Sequence, residues 1–377
     1  MNYYRVRQHF PASTLDNVAG AVRAALTALS IQGGKRIAIA VGSRGIANLP
    51  IIVNTVVAWV RAQGAEPFIV PAMGSHAGAT ADGQRKLLEG LGITGLPIVS
   101  AMDVVEIGPG AFMDKAASEA AGVIVINRIK PHTSFHGRYE SGLMKMIAVG
   151  LGKQAGAAAI HRLGIPGLRE EMPAVARQVL ATGKILFGIA ILENARDETL
   201  AVRVIPAARI PEEEPALLEL ARANMPLLPV DDVDLLIVDE IGKAISGTGM
   251  DTNVIGRLRI AGEPEPVSPR IHRIFVRDVA GESAYGIGLA DLTTRRLVSK
   301  TNWEITQTNV ETSGFTLRGV IPQIVESDDA AVTGRRIVRI KNTLQLETLI
   351  VSEPVRKEIE GRVTVKVLGP ANLWDAL

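Results

Sequence analysis

Short, almost continuous apolar runs alternate along the chain with longer stretches whose apolar positions recur every three or four residues. Residues 36–41 (RIAIAV) show the pattern of a strand buried on both faces in a parallel sheet. Residues 49–63 follow as a helix with Pro50 in its first turn, where a missing N–H costs nothing. The same rhythm gives a strand at 67–71 (PFIVP), a helix at 80–91, a strand at 123–127 (VIVIN) and, after a polar loop, a helix around 141–149. A helix over 168–182 comes next, then two strands within 185–204 that turn at Asn194-Ala195-Arg196-Asp197 as an antiparallel hairpin. After a helix at 211–228 a second pattern of this kind begins, with strands at 233–238, 274–279, 348–352 and 363–368.

Strands joined through helices pair in parallel, with the helices covering the sheet faces. The expected fold is therefore α/β: two Rossmann-like α/β domains with mainly parallel sheets. Pro226-Leu227-Leu228-Pro229 marks the break, giving domains of residues 1–230 and 231–377. Open parallel sheets take ligands beyond the carboxyl ends of their strands. The active site is expected at those ends, in the interdomain cleft.

Composition narrows the chemistry. The chain of 377 residues holds no cysteine, which removes disulfides, thiolate metal sites and thiol nucleophiles. Its 41 basic and 39 acidic residues leave a net charge of +2, and no dense Lys/Arg stripe is interleaved with aromatics, so nucleic acid is not an expected partner. The longest apolar runs, such as 51–60, are about half a membrane span. The polar start, Met1-Asn2-Tyr3-Tyr4-Arg5, lacks the apolar core of a signal peptide. No membrane partner and a cytoplasmic location are the expectations; the oligomeric state is not readable.

The loops after strands hold the unusual residues. Gly42-Ser43-Arg44-Gly45 follows the first strand, and an Arg between glycines there suits a phosphate or serves a solvated turn. Gly74-Ser75-His76-Ala77-Gly78 follows the second, placing His76 as an acid or base, or as a bystander in a helix-capping loop. The segment from Asn127 to Lys145 is richest: it holds His132, His136, Lys130, Arg128 and Arg138 among small residues. His161 lies beyond the glycine-rich Gly150-Leu151-Gly152-Lys153. Each histidine alone has a structural explanation; the grouping of His76, His132, His136 and His161 about one sheet points to function. His9 and His272 read as structural.

Together, Pro71-Ala72-Met73-Gly74-Ser75-His76, Lys130-Pro131-His132, Ser141-Gly142-Leu143-Met144-Lys145 and the downstream His161 resemble the nickel-pincer-dependent lactate racemase family. The order His, His, Lys, His and the separation of Lys145 from His161 carry the likeness, which covers residues 35–165 and fades beyond them. It implies that 1–230 is a lactate-racemase-like catalytic domain and 231–377 a C-terminal α/β domain. It implies an isomerase, a racemase or epimerase of a 2-hydroxy acid. The implied cofactor is a nickel-pincer nucleotide, a pyridinium mononucleotide whose two thio-acid arms hold nickel through two sulfurs and a ring carbon. Carried over by position, Lys145 would form the covalent thioamide link and His161 would be the nickel ligand. His76 would be one catalytic acid/base and His132 or His136 the other. Ser43 and Arg44 would match the phosphate contacts, with Ser141 and Gly142 as further cofactor-binding positions.

Elementary chemistry agrees with these implications. A chain without cysteine cannot supply sulfur to nickel, so the sulfur must arrive with the cofactor. A lysine in an enclosed, cation-rich pocket gives up its proton more readily and becomes a nucleophile. Two histidines on opposite sides of a substrate carbon can each take the hydroxyl proton of one enantiomer, while the cofactor accepts and returns a hydride. Arg128, Lys130 and Arg138 are the cations at hand for a substrate carboxylate.

Some positions depart from the family pattern. Closeness to Pro131 favours His132 as the second acid/base, whereas the distance from Lys145 favours His136. Glu140, Leu143 and Met144 are bulkier than the small stretch expected before the lysine, which argues against plain lactate. In the second domain, residues 239–253 read either as an anion nest or as a surface loop. Lys300, Asn302 and Trp303 are weaker candidates for a place in the cleft. The rival reading is a nickel-free α/β enzyme, or a nucleotide- or anion-binding protein of the same fold.

Overall fold

The computed structural model describes residues 1–11, 13–43, 45–313 and 316–377, without the side chains of 312–317. The chain forms two compact units, Ala12–Met225 and Met1–Pro11 with Pro226–Leu377. Both are mixed α/β with mostly parallel sheets. Among the described residues no helix is long and apolar enough to cross a membrane.

Strand β1 (Tyr3–Gln8) opens the chain. The unit that follows contains β2 (Arg36–Val41), β3 (Glu66–Pro71), the hairpin β4 (Val104–Gly108) and β5 (Ala111–Asp114), then β6 (Gly122–Arg128), β7 (Ile185–Glu193) and β8 (Thr199–Pro206). Its main sheet has the order β3-β2-β6-β7-β8, parallel except for the antiparallel β7–β8 pair. Alternation along the strands divides their side chains between two faces. Ile37, Ile39 and Val41 share a core with Ile52, Val53 and Val56 of the helix Leu49–Ala62, each such burial worth about 1.5–3 kcal/mol. The opposite face is built from small residues: Ala38 and Ala40 on β2, Gly188 and Ala190 on β7. A Cβ on Gly188 would stand 2.5 Å from Leu143 Cδ1, so the bare backbone lets the segment that carries Lys145 lie close on the sheet.

The second unit has an eight-stranded sheet. Its strands are β9 (Asp232–Ile241), β10 (Arg270–Val279), β11 (Leu292–Thr294), β12 (Gln323–Val325), β13 (Ile337–Ile340), β14 (Thr348–Ser352) and β15 (Val365–Ala371), with β1 inserted between the last two. The order is β12-β11-β10-β9-β13-β14-β1-β15, parallel from β12 to β13 and antiparallel from there to β15. On β9, Leu236 and Val238 face one core and Leu235 and Ile237 the other. Coverage on both faces is why the strand reads as an unbroken apolar run.

Strands β4, β5, β11, β12 and β13 were not expected, the strand placed at 363–368 runs over Val365–Ala371, and two further departures redraw the division of the chain. Residues 1–11 do not belong with the N-terminal unit: β1 pairs with β14 and β15, a long-range pairing that no local pattern announces. The helix placed at 211–228 ends at Ala223, and the units divide between Met225 and Pro226. A residue before proline is pushed out of the helical region, so the segment turns at Met225 instead.

Candidate active site

In the run β3-β2-β6 three parallel strands lie side by side, and their following loops carry His76, Ser43 and the 129–140 segment. Ser43 Oγ hydrogen-bonds to His76 Nδ1, joining two of these loops. Arg44 lies outside the described residues.

A buried polar group holds the His76 loop from behind. The Gln84 amide donates to Gly74 O (2.8 Å) and His76 O (3.3 Å). Lys153 Nζ donates to Pro71 O (2.6 Å), pairs with Asp114 at 3.1 Å and reaches Gln84 Oε1 at 3.4 Å. Lys153 and Gln84 are fully buried. Burial holds the Lys153 amine below the usual lysine range, against the pull of the Asp114 carboxylate. The lysine of the glycine-rich 150–153 stretch is therefore engaged in holding backbone. Gly74 adopts φ +58° and donates its N–H to Gly150 O at 3.2 Å; a Cβ on Gly150 would stand 2.7 Å from Ala72 O. Both glycines are needed for this close approach.

Glu140 organises the loop after β6. Its buried carboxylate accepts from the backbone N–H of His132 (2.6 Å) and of Gly137 (3.1 Å), meets His136 Nδ1 at 3.3 Å and pairs with Arg222. Two amides and a guanidinium on one buried acid make a strong, charge-assisted node. His136 is turned to this acid and its carbonyl accepts from Arg169 Nε at 3.1 Å. His132 points elsewhere. Its Nε2 lies 2.6 Å from Lys145 Nζ, its Nδ1 accepts the Ser134 N–H at 3.0 Å, and its ring packs on Phe135 with centroids 4.7 Å apart.

Lys145 ends a short helical turn, Leu143–Lys145, that runs into a π-helical turn over Met146–Gly150. Such π turns recur at functional sites because they shift the register of the side chains after them. The turn is held at its start by Glu214, wholly buried in the helix Ile210–Ala223, which accepts the Met144 N–H at 2.8 Å. Burial pushes the Glu214 carboxyl up to about 7, with the Met144 and Leu143 amides pulling the other way. His161 closes the helix Lys153–His161, and its Nδ1 donates to Ala157 O at 2.7 Å. Its ring reaches solvent, yet the protein atoms crowded round it cost the charged form hydration, and this is the main cause of its lowered pKa. Lys145 is near enough for its charge to lower it further. A neutral ring with Nδ1–H engaged presents the Nε2 lone pair, the form in which imidazole binds metals.

The structure thus brings Lys145, His132 and His161 into one neighbourhood and pairs Ser43 with His76, while His136 faces Glu140. Ser141 bridges Lys130 through backbone N–H···O bonds of 2.8 and 3.2 Å, and the Gly142 carbonyl accepts from the Asn127 amide at 2.8 Å. Arg128 is paired with Glu193, and Arg138 lies over the Tyr139 ring. In the other unit, the amides of Gly242, Ile245, Ser246 and Gly249 bond within their own loop rather than forming an anion nest, and Lys300 pairs with Asp278 at 2.6 Å. Trp303 packs against that unit's core, and Asn302 donates its N–H to Glu282 O at 2.8 Å. Among the described residues no three His, Asp or Glu gather as metal ligands.

Sequence reasoning missed the buried supports. Glu214 stands in the run Glu212-Glu213-Glu214, which reads as a solvated acidic start to a helix. Glu140 was legible only as a departure from a small-residue pattern, and Gln84 and Asp114 carried no signal.

No protein-family model matches the chain, and no curated protein matches it. Among solved structures, the lactate racemase apoprotein from Thermoanaerobacterium thermosaccharolyticum is similar in fold. It is 13% identical with a TM-score of 0.45, over 73% of this chain and 74% of that one. A likeness this loose decides neither family nor activity.

Proposed function

We propose that this protein is a racemase or epimerase of a 2-hydroxy acid that works with a covalently held nickel-pincer nucleotide. The observation that carries the reading is the contact of Lys145 Nζ with His132 Nε2 at 2.6 Å.

The residues present fit such a group. They offer one amine for a covalent bond and one neutral imidazole, with no thiolate in the chain. Among the described residues bare nickel would find too few donors, whereas a group that brings sulfur donors needs only one more from the protein. When bound, the group supplies a hydride acceptor and donor. Lys145 would hold it and His161 would ligate its metal. His76 and His132 would move the substrate hydroxyl proton, one for each enantiomer. His132 is preferred to His136 because it touches Lys145 while His136 faces a buried acid. Ser43 holds the His76 ring through Nδ1, and Glu140 fixes the backbone that carries His132. The substrate is a small molecule.

The test is the chain purified from a host that makes the cofactor. An adduct on Lys145, one nickel per chain and interconversion of enantiomers across a panel of 2-hydroxy acids are expected, read by intact mass, metal analysis and chiral chromatography. An unmodified, nickel-free chain from that host would sink the reading. The Ser43–His76 hydrogen bond favours a second reading, a nickel-free enzyme that uses His76 for proton transfer on a carboxylated or phosphorylated substrate. Turnover by an unmodified chain would support it.

A further inference from the structure

We propose that Gln84 and Lys153 are positioning residues: they tether the loop that bears His76 to the helix that ends at His161, so that the two imidazoles keep one separation. The functional side of this rests on the reading in which both histidines serve one centre. The tether itself is measurable without that reading.

Lys153 occupies its place at a double cost. It is the first residue of the helix Lys153–His161 and adopts φ +52°, a backbone region that favours glycine. Its side chain is wholly buried, where an amine loses its hydration. In the run Gly150-Leu151-Gly152-Lys153 a further glycine would suit the backbone better. What the side chain reaches accounts for the lysine.

Its Nζ meets acceptors on three elements: Pro71 O at the end of β3 (2.6 Å), the Asp114 carboxylate at the end of β5 (3.1 Å) and Gln84 Oε1 in the helix Ala81–Gly90 (3.4 Å). With Oε1 turned to Lys153, the Gln84 amide nitrogen is aimed the other way, at Gly74 O and His76 O. The opposite orientation would set an oxygen against two carbonyls, so the lysine selects the one that grips the loop. The Gly74 N–H adds a bond to Gly150 O, three residues before Lys153.

His161 stands at the far end of the same nine-residue helix, about 12 Å along the axis at 1.5 Å per residue. A hydrogen-bonded helix passes a displacement of its first residue on to its last. The His76 loop and His161 are therefore fixed to one rigid piece. Reacting groups misplaced by about 1 Å lose much of their rate, and buried supports of this kind hold such distances.

The test sets the wild type beside Gln84→Met, which stays unbranched and removes both amide donors. In the cofactor-free chain, hydrogen exchange of the 72–80 segment should quicken at least about tenfold. The His76 ring resonances should shift, while those of His9 and His272, in the other unit, stay in place. Lys153→Met combined with Asp114→Asn leaves no buried charge unpaired and keeps an oxygen on the Ala117 N–H; it should open the same segment. Unchanged exchange and ring signals in Gln84→Met would overturn the proposal, as would acceleration spread evenly over the Ala12–Met225 unit. A double variant whose 72–80 segment stays closed would also overturn it, because the lysine would then serve only to neutralise Asp114. Should Gln84→Met fail to fold, the double variant decides. In cofactor-loaded protein Gln84→Met should keep nickel and the Lys145 adduct while kcat falls at least about tenfold with KM little changed. A wild type that turns over no 2-hydroxy acid would sink the proposed function and leave the tether to be judged by exchange.

Discussion

Gly142 lies directly over the Glu214 carboxylate: a Cβ at position 142 would stand 2.3 Å from Glu214 Oε1 and 2.6 Å from Cδ. The residue three before the candidate nucleophile is therefore a glycine for lack of room.

Gly142→Ala should crowd a fully buried acid that is tied to the Met144 amide and cannot swing away. Overpacking of this kind costs about 1–3 kcal/mol. A lower urea midpoint is the expected result. An unchanged midpoint would mean that the acid has space to retreat.

Glu214 gives the fold a pH dependence. Its carboxyl is raised from 4.5 to about 7, mainly by burial. A carboxyl whose folded pKa exceeds its unfolded one contributes stability that is full below about 4.5 and is lost as pH rises through about 7. Glu214→Gln should remove that slope, so between pH 5 and 8 the wild type should lose up to roughly 3 kcal/mol relative to the variant. Denaturant curves across this range report it, and parallel slopes for the two proteins would contradict it.

Glu140→Ala removes the acceptor of two backbone amides and the partner of Arg222. Arg222 is partly solvated and can recover some hydration. The expected cost is therefore about 2–3 kcal/mol rather than the full cost of a broken buried pair. The 131–140 segment should become sensitive to limited proteolysis, and Arg222→Met should have the smaller effect. Equal effects would place the energy in the ion pair instead of the amides.

His161→Ala truncates an exposed side chain and should alter stability by no more than about 0.5 kcal/mol. In protein from a cofactor-producing host the Lys145 adduct should remain while nickel is lost, read by intact mass beside metal analysis. Retained nickel would assign the metal another ligand.

How much of this was legible beforehand depended on how local the cause was. The strand at 36–41 and the helix that follows it show in the sequence because their burial is periodic. The histidines stood out because imidazoles in strand-end loops are uncommon side chains in uncommon places. Which of His132 and His136 meets Lys145 was not legible, since it depends on where Glu140, eight residues beyond His132, directs the loop. The supports of the site were hidden for a related reason. A fully buried Glu214 and a solvated one have the same neighbours in sequence, and only the sheet and the Lys145 turn distinguish them.

The placement of β1 bears on how the protein is made. Its backbone partners, residues 348–352 and 365–371, are made only after the whole Ala12–Met225 unit. Until those partners are made, β1 stands in the nascent chain with both hydrogen-bonding edges bare, while the Ala12–Met225 unit already holds its own strands. Unpaired edges are where nascent chains stick to one another. A ribosome stalled before β14 and β15 would thus leave an adhesive product, and loss of residues 1–11 would damage the unit that 226–377 completes.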